Sequence, residues 1–278
     1  TALGNASVPW LFATAAAGAL TYLMAAIALI GAAGQGLAIG RTWAVQVAAA
    51  FTNRLAPAGL GGMATNARYL EAAGIARPAA LTAIGLNSVA GFLVHLLGVL
   101  LIVPLLGAGT THFRLSGPDF PDQWPLLVAV AGGLAAIGAI RWGARVRRRF
   151  APSVRAALRS LADVVRRPKA AAALFGGAAG VTVGYTLALA ASAQAMSLGL
   201  PLSTLAAVYL GGAALAAAAP TPGGLGALEA ALVAGLTAAG AATGPAVATV
   251  LAYRLITYWL PVIPGLVAFR VLRRSGTI

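Results

Sequence analysis

The chain of 278 residues has no cysteine, two histidines and only five acidic residues against nineteen Lys and Arg. Without cysteine there is neither a disulfide framework nor a thiolate metal site. His95 and His112 lie far apart, so a dedicated zinc site is not expected, and no cofactor is expected. Charge is scarce altogether, at 9% of residues, while 60% are hydrophobic and the mean hydropathy is +0.89. Those values exclude an ordinary soluble domain and fit a polytopic membrane protein. The apolar runs are long, rich in Ala, Leu and Gly, and do not alternate, so the fold class is all-α and not a barrel. The 35 glycines suit close helix approach in lipid. The net charge of +14 gathers at a bilayer face, which excludes a nucleic-acid role. Thr1 stands where Met would begin a chain, and no charged segment precedes Val8. That reads as a processed chain or a piece of a longer one, with no visible signal peptide.

One transmembrane domain, residues 1–278, is expected. Five stretches are long enough to span: Val8–Ala33, Pro78–Leu106, Pro125–Trp142, Lys169–Met196 and Pro245–Leu272. Between them lie two regions, 42–74 and 203–242, each a pair of shorter helices around a Pro/Gly break. Ten basic residues fall in the 141–169 connection, from Arg141 to Lys169, opposed only by Asp163. The positive-inside rule puts that connection in the cytoplasm, together with the C-terminal Arg270, Arg273 and Arg274. The N-terminus and the 108–124 loop are then external, in a cell-membrane protein. Trp10, Trp43, Trp124 and Trp142 fall at span ends, as interfacial aromatics do. The basic connection reads as a topology signal or, alternatively, as an amphipathic helix on anionic headgroups.

Two motifs repeat. In "PAGLGGMATNA" and "PGGLGALEAAL", Pro57, Gly59, Leu60 and Gly61 match Pro222, Gly224, Leu225 and Gly226. Downstream, "RPAALTAIGLN" and "GPAVATVLAYR" pair Pro78 with Pro245 and Asn87 with Arg254. Threading the spans through a bilayer turns the two span–hairpin–span units, 8–107 and 169–272, upside down relative to each other, with 125–142 as the linking span. That is an inverted repeat, whose sites lie near the midplane. The breaks at Pro57, Gly59, Gly61 and Gly62, and at Pro220, Pro222, Gly223, Gly224 and Gly226, are expected to be the tips of re-entrant hairpins. Full hairpins turning at the membrane surface are the alternative. Proline stops a helix, glycine permits the turn, and the next helix begins with free N–H groups suited to an anion.

The polar residues near these tips are the candidate substrate-binding set. Glu229 and Arg254 fall near mid-depth, where ionisable groups are costly and face a bundle interior or a wet path. Arg254 would hold an anionic headgroup, with Glu229 as counter-ion or proton site; a structural ion pair is the other reading. Asn53 and Arg54 precede the first tip, and Arg54 suits a phosphate through its planar fork. Asn66 and Arg68 follow it, and Arg68 and Glu71 have the spacing to pair. Asn87 is the counterpart of Arg254, and Tyr253 adjoins it. His95 is expected to hydrogen-bond between helices.

These motifs resemble the lysylphosphatidylglycerol-synthase transmembrane region, also called the flippase-like domain. The resemblance rests on "PTPGGLGALEA", on "GPAVATVLAYRLITYWLPVIPG", and on "APAGLGG" with "NARYLEAAGIARPAALTAI", across about residues 40–272. In that family an acidic residue is expected soon after the paired glycines of the first motif; Met63 and Ala64 stand there. Arg68, Glu229 and Arg254 match family positions. The resemblance implies movement of a lipid, aminoacylated phosphatidylglycerol among them, between leaflets. The aminoacyl-transferase half is not in this chain, and is lost, on a partner, or on the rest of a longer polypeptide. A lipid flippase or transporter leads; an integral-membrane transferase acting on lipid phosphate, or an anchor for a synthase domain, stays open. The partners are membrane lipids, with a homo-oligomer also open.

Overall fold

A computed structural model describes residues 6–56, 59–107, 162–217 and 224–278. The span expected over 125–142, the 108–124 loop, the basic connection up to residue 161, and Pro57, Pro220, Pro222 and Gly223 lie outside them. Every described element is helical: α1 (Val8–Ala33), α2 (Ile39–Leu55), α3 (Leu60–Ala72), α4 (Arg77–Gly107), α5 (Pro168–Ala195), α6 (Leu202–Ala217), α7 (Ala227–Ala238), α8 (Thr243–Arg254), a π-helical turn at Leu255–Trp259, and α9 (Val262–Arg274). Among the described residues four helical stretches are long and apolar enough to cross a membrane: Val8–Ala33, Arg77–Ile102, Pro168–Ala195 and Thr243–Arg274. Their 26 to 32 residues reach roughly 39–48 Å, enough to cross a core of about 30 Å with tilt.

Local signals set the ends. Proline in the first turn opens α1 and α5, where its missing N–H costs nothing. α1 stops at Gly34, whose N–H returns to the Ile30 carbonyl. The last stretch is not one regular helix, as the sequence suggests, but two joined by the π turn. Pro261 and Pro264 follow that turn and have no N–H to give, so a regular α ladder cannot pass through them intact.

α1 and α5 run antiparallel and form the tightest pair. Ser7 N–H reaches the Ala195 carbonyl at 2.9 Å, Thr14 and Ser192 share a hydrogen bond at 3.2 Å, and at the other end Gly31 lies against Ala170 and Leu174. Glycine allows it: a Cβ on Gly177 would stand 2.5 Å from the Ala28 nitrogen. Close backbone approach of this kind replaces the hydrophobic drive that helices lack in lipid.

The remaining packing is reciprocal. α2 folds on α3 and α6 on α7; α1 touches α2 and α4 as α5 touches α6 and α8. α4 lies on α6, and α9 lies on α2. Two apolar cores result. One gathers Leu29, Val45, Leu70, Ile84 and Leu174; the other Leu189, Leu205, Leu232, Leu236 and Val250. Between them runs polar space.

Candidate functional site

The first hairpin turns through Gly59, at φ +73°, a conformation that disfavours any Cβ. Gly61 then lets α3 press on the Thr52 backbone. The hairpin is also tied by polar bonds. Asn53 Oδ1 accepts the Gly62 N–H at 2.6 Å and so covers the start of α3. Gln46 donates to Asn66 Oδ1 at 2.9 Å, and Thr52 and Thr65 pair at 2.9 Å.

Arg54, at the end of α2, reaches across to the π turn. Its Nε donates to the Tyr258 carbonyl at 2.7 Å and its Nη1 donates to the Ala50 carbonyl. The guanidinium carbon lies 4.6 Å from the centre of the Tyr258 ring, and that of Arg254 lies 4.2 Å from the same ring. One aromatic ring thus attracts two cations through its quadrupole. Tyr258 sits halfway along the 32-residue Thr243–Arg274 stretch, so the first tip reaches its middle.

The second tip reaches the same stretch by another route. Gly226 has φ +81° and ψ −48°, a backbone region that only glycine enters readily. Its N–H donates to Glu229 Oε2 at 2.8 Å, while Arg254 Nε donates to Glu229 Oε1 at 2.5 Å. Glu229 lies in the first turn of α7, where the helix dipole favours a carboxylate. The sequence leads one to expect this helix start to be offered to a ligand anion; Glu229 itself takes the tip N–H at Gly226. Arg254 is 8% exposed and Glu229 25%. This is a buried charge answered by a carboxylate.

These groups bound a cavity of about 450 Å³. Of the expected binding residues, Asn53, Arg54, Asn66, Asn87, Tyr253 and Arg254 line it, as do Gly59 and Gly62. Asn87 and Arg254, paired by the second sequence match, face one space. Glu229 is not on the lining but bonds Arg254, which is, and its neighbour Leu228 is on the wall. Arg68 is exposed and does not reach the cavity, because α3 turns its Asn66 face inward. Glu71 pairs with Arg77, across the turn into α4 at 3.6 Å, and not with Arg68. His95 meets the Leu210 carbonyl at 3.0 Å and joins α4 to α6, as expected of an interhelical bond.

Reading the sequence did not pick out Tyr22, Gln46, Tyr185 or Tyr209, all on the wall. A signal was there: tyrosine in lipid-spanning helices belongs at the interfaces. Tyr22 and Tyr185 sit well inside α1 and α5, so each needs a polar surrounding. Asn87 Oδ1 is buried and receives no donor among the described residues. Arginine, amides and phenols can together bind a phosphate and hydrogen-bond a polar head, inside helices whose outer faces are apolar.

Among curated proteins, none matches the chain. The model of the family described as the lysylphosphatidylglycerol synthase TM region matches residues 1–265, including α1, which the motif resemblance did not reach. On that match, which takes in both hairpins and the π turn, the chain belongs to this family.

Proposed function

We propose that the protein carries a phosphate-bearing lipid between the two leaflets of the cell membrane, through the cavity between its hairpins. The observation behind this reading is the arginine-bearing polar cavity at mid-height of an apolar helical bundle. Polar space at that depth is costly unless a polar group passes through it. A lipid head would enter the cavity while its tails stay among the exposed apolar side chains.

Several features support a re-entrant course for the hairpins. α2, α3, α6 and α7 have 17, 13, 16 and 12 residues, or roughly 18–25 Å of rise, short of a core of about 30 Å. Both tips contact the central part of the Thr243–Arg274 stretch. The antiparallel α1–α5 pair and the reciprocal packing of α4 on α6 and α9 on α2 support two inverted units. On this reading the Arg167–Lys169 end faces the cytoplasm, and alternating access comes from one tip yielding while the other holds. The Arg54–Tyr258 and Glu229–Arg254 bonds are the contacts that would give way. A lipid synthase domain, fused or separate, would stand upstream as the source of substrate.

The test is leaflet exchange in liposomes holding the purified chain, with tail-labelled phosphatidylglycerol and a quencher added outside. Transport predicts label lost from both leaflets at a rate set by the protein, and slowed at least about tenfold in Arg54→Gln. Exchange no faster than in empty liposomes, or a chemically altered lipid recovered afterwards, rejects the reading.

A further inference from the structure

We infer that the lipid head beyond its phosphate is a neutral polyhydroxy group, such as a glycerol, an inositol or a sugar, and not a head bearing an ammonium. This rests on the transport reading of the same cavity and narrows its substrate.

Charge is the first ground. Among the described residues the cavity lining holds Arg54 and Arg254 and no carboxylate. Glu229 is bonded to Arg254, which leaves a balance of one positive charge. Glu71 is paired with Arg77, and Asp163 borders a separate space beside Gly34 and Arg167. A phosphodiester with an uncharged head carries one negative charge and closes that balance. An added ammonium would lose its water and find no carboxylate on the wall to replace it.

Aromatic faces are the other means of holding an ammonium, and here most are committed. The Tyr258 ring already attracts two guanidiniums. Tyr185 and Tyr209 stack on each other with centroids 6.1 Å apart. Tyr253 is 2% exposed. Among the described residues Tyr22 is the one wall tyrosine outside these contacts, and a single ring makes no box for a cation.

The neutral groups point the same way. Gln46, Asn53, Asn66 and Asn87 put four amides on the wall; Gln46 is bonded to Asn66 and Asn53 Oδ1 takes the Gly62 N–H, and their remaining donors and lone pairs stand beside the tyrosine hydroxyls. A sugar or polyol hydroxyl both gives and takes hydrogen bonds, so it complements such a set without a charge. Asn87 Oδ1 is buried with no donor among the described residues, an acceptor for one such hydroxyl. At about 30 Å³ per water, the cavity has the volume of some fifteen waters, room for a phosphate and a polyol.

The experiment is competitive lipid retention by the full chain in detergent, read by native mass spectrometry. The probes are equimolar phosphatidylglycerol, phosphatidylinositol, phosphatidylserine, phosphatidylethanolamine and lysylphosphatidylglycerol. Phosphatidylglycerol and phosphatidylinositol should be retained at least about tenfold over the three ammonium-bearing lipids. Phosphatidylserine matters most, since it matches their net charge while its head adds an ammonium with a carboxylate in place of the polyol. Equal or better retention of any ammonium lipid, or no selectivity, overturns the inference. Asn87→Asp keeps the side chain's shape and adds a carboxylate, so it should cut the preference about tenfold. An unchanged preference in that variant also overturns it. Leaflet exchange separates the two claims. Selective retention without exchange ends the transport reading and leaves the head chemistry standing; exchange without selectivity does the reverse.

Discussion

Both hairpins turn at a glycine of positive φ, and each places a side chain of its own on the backbone at the start of its returning helix, yet the two covering groups differ in charge. At the first tip the cover is the neutral Asn53, on the Gly62 N–H. At the second it is the carboxylate of Glu229, on the Gly226 N–H, which also answers Arg254. The helix dipole and the nearby arginine are therefore compensated at the second tip. At the first, the positive end of α3 and the guanidinium of Arg54 both remain uncompensated by any carboxylate among the described residues. One cavity thus has a balanced wall and a positive wall. On the transport reading a phosphate would be drawn to the first tip, with the second as its structural abutment.

The strongest way to break this comparison is to remove the second tip's compensation. Glu229→Gln leaves Arg254 buried with a neutral neighbour, and losing one partner of a buried pair costs about 3 kcal/mol, the low end of the usual range because Glu229 is partly exposed. Thermal unfolding in detergent should show a clear drop, largely recovered when Arg254→Gln is added. A drop in the double variant equal to the sum of the two single drops would mean that the charges act independently.

Next come the turn glycines, which serve their tips differently. Gly61→Ala forces a Cβ into the Thr52 backbone, where nothing flexible can yield. Overpacking of that kind costs about 1–3 kcal/mol. A Cβ on Gly226 meets nothing within 4 Å among the described residues, so the cost read for Gly226→Ala is the strain of positive φ, about 1–2 kcal/mol. Unfolding midpoints should rank Gly61→Ala below Gly226→Ala. The reverse order would place the strain, not the packing, in command at both tips.

Much of this was legible in the sequence. Long apolar runs gave four of the spans to within a few residues, since burial in lipid needs length above all, and proline with glycine marked both turns. Two charges at one depth left a Glu229–Arg254 ion pair as one of two readings of these residues. What stayed hidden were properties of the folded surface. Arg68 and Asn66 lie two apart on α3, and only the packing of α3 on α2 and α4 decides which faces inward. The π turn was not read from "LITYWLPVIPG", although its two prolines bear on the backbone there. The Tyr258 carbonyl became the anchor for Arg54 through a contact between helices some 200 residues apart, which no local pattern encodes.

The gentlest change tests the comparison itself. Asn53→Asp gives the first tip the kind of charged cover that the second has, with almost no change in shape. Aspartate is as good a helix cover as asparagine, so stability should move by no more than about 0.5 kcal/mol. Function should not be spared. The new carboxylate would lie beside the start of α3 and adjacent in sequence to Arg54, and would compensate the wall to which the transport reading assigns the phosphate. Retention of phosphatidylglycerol should fall about tenfold while the unfolding midpoint stays where it was. Retention that holds steady would mean that Arg254, already answered by Glu229, carries the phosphate, and the division of labour between the tips would be the reverse of the one drawn from their covers.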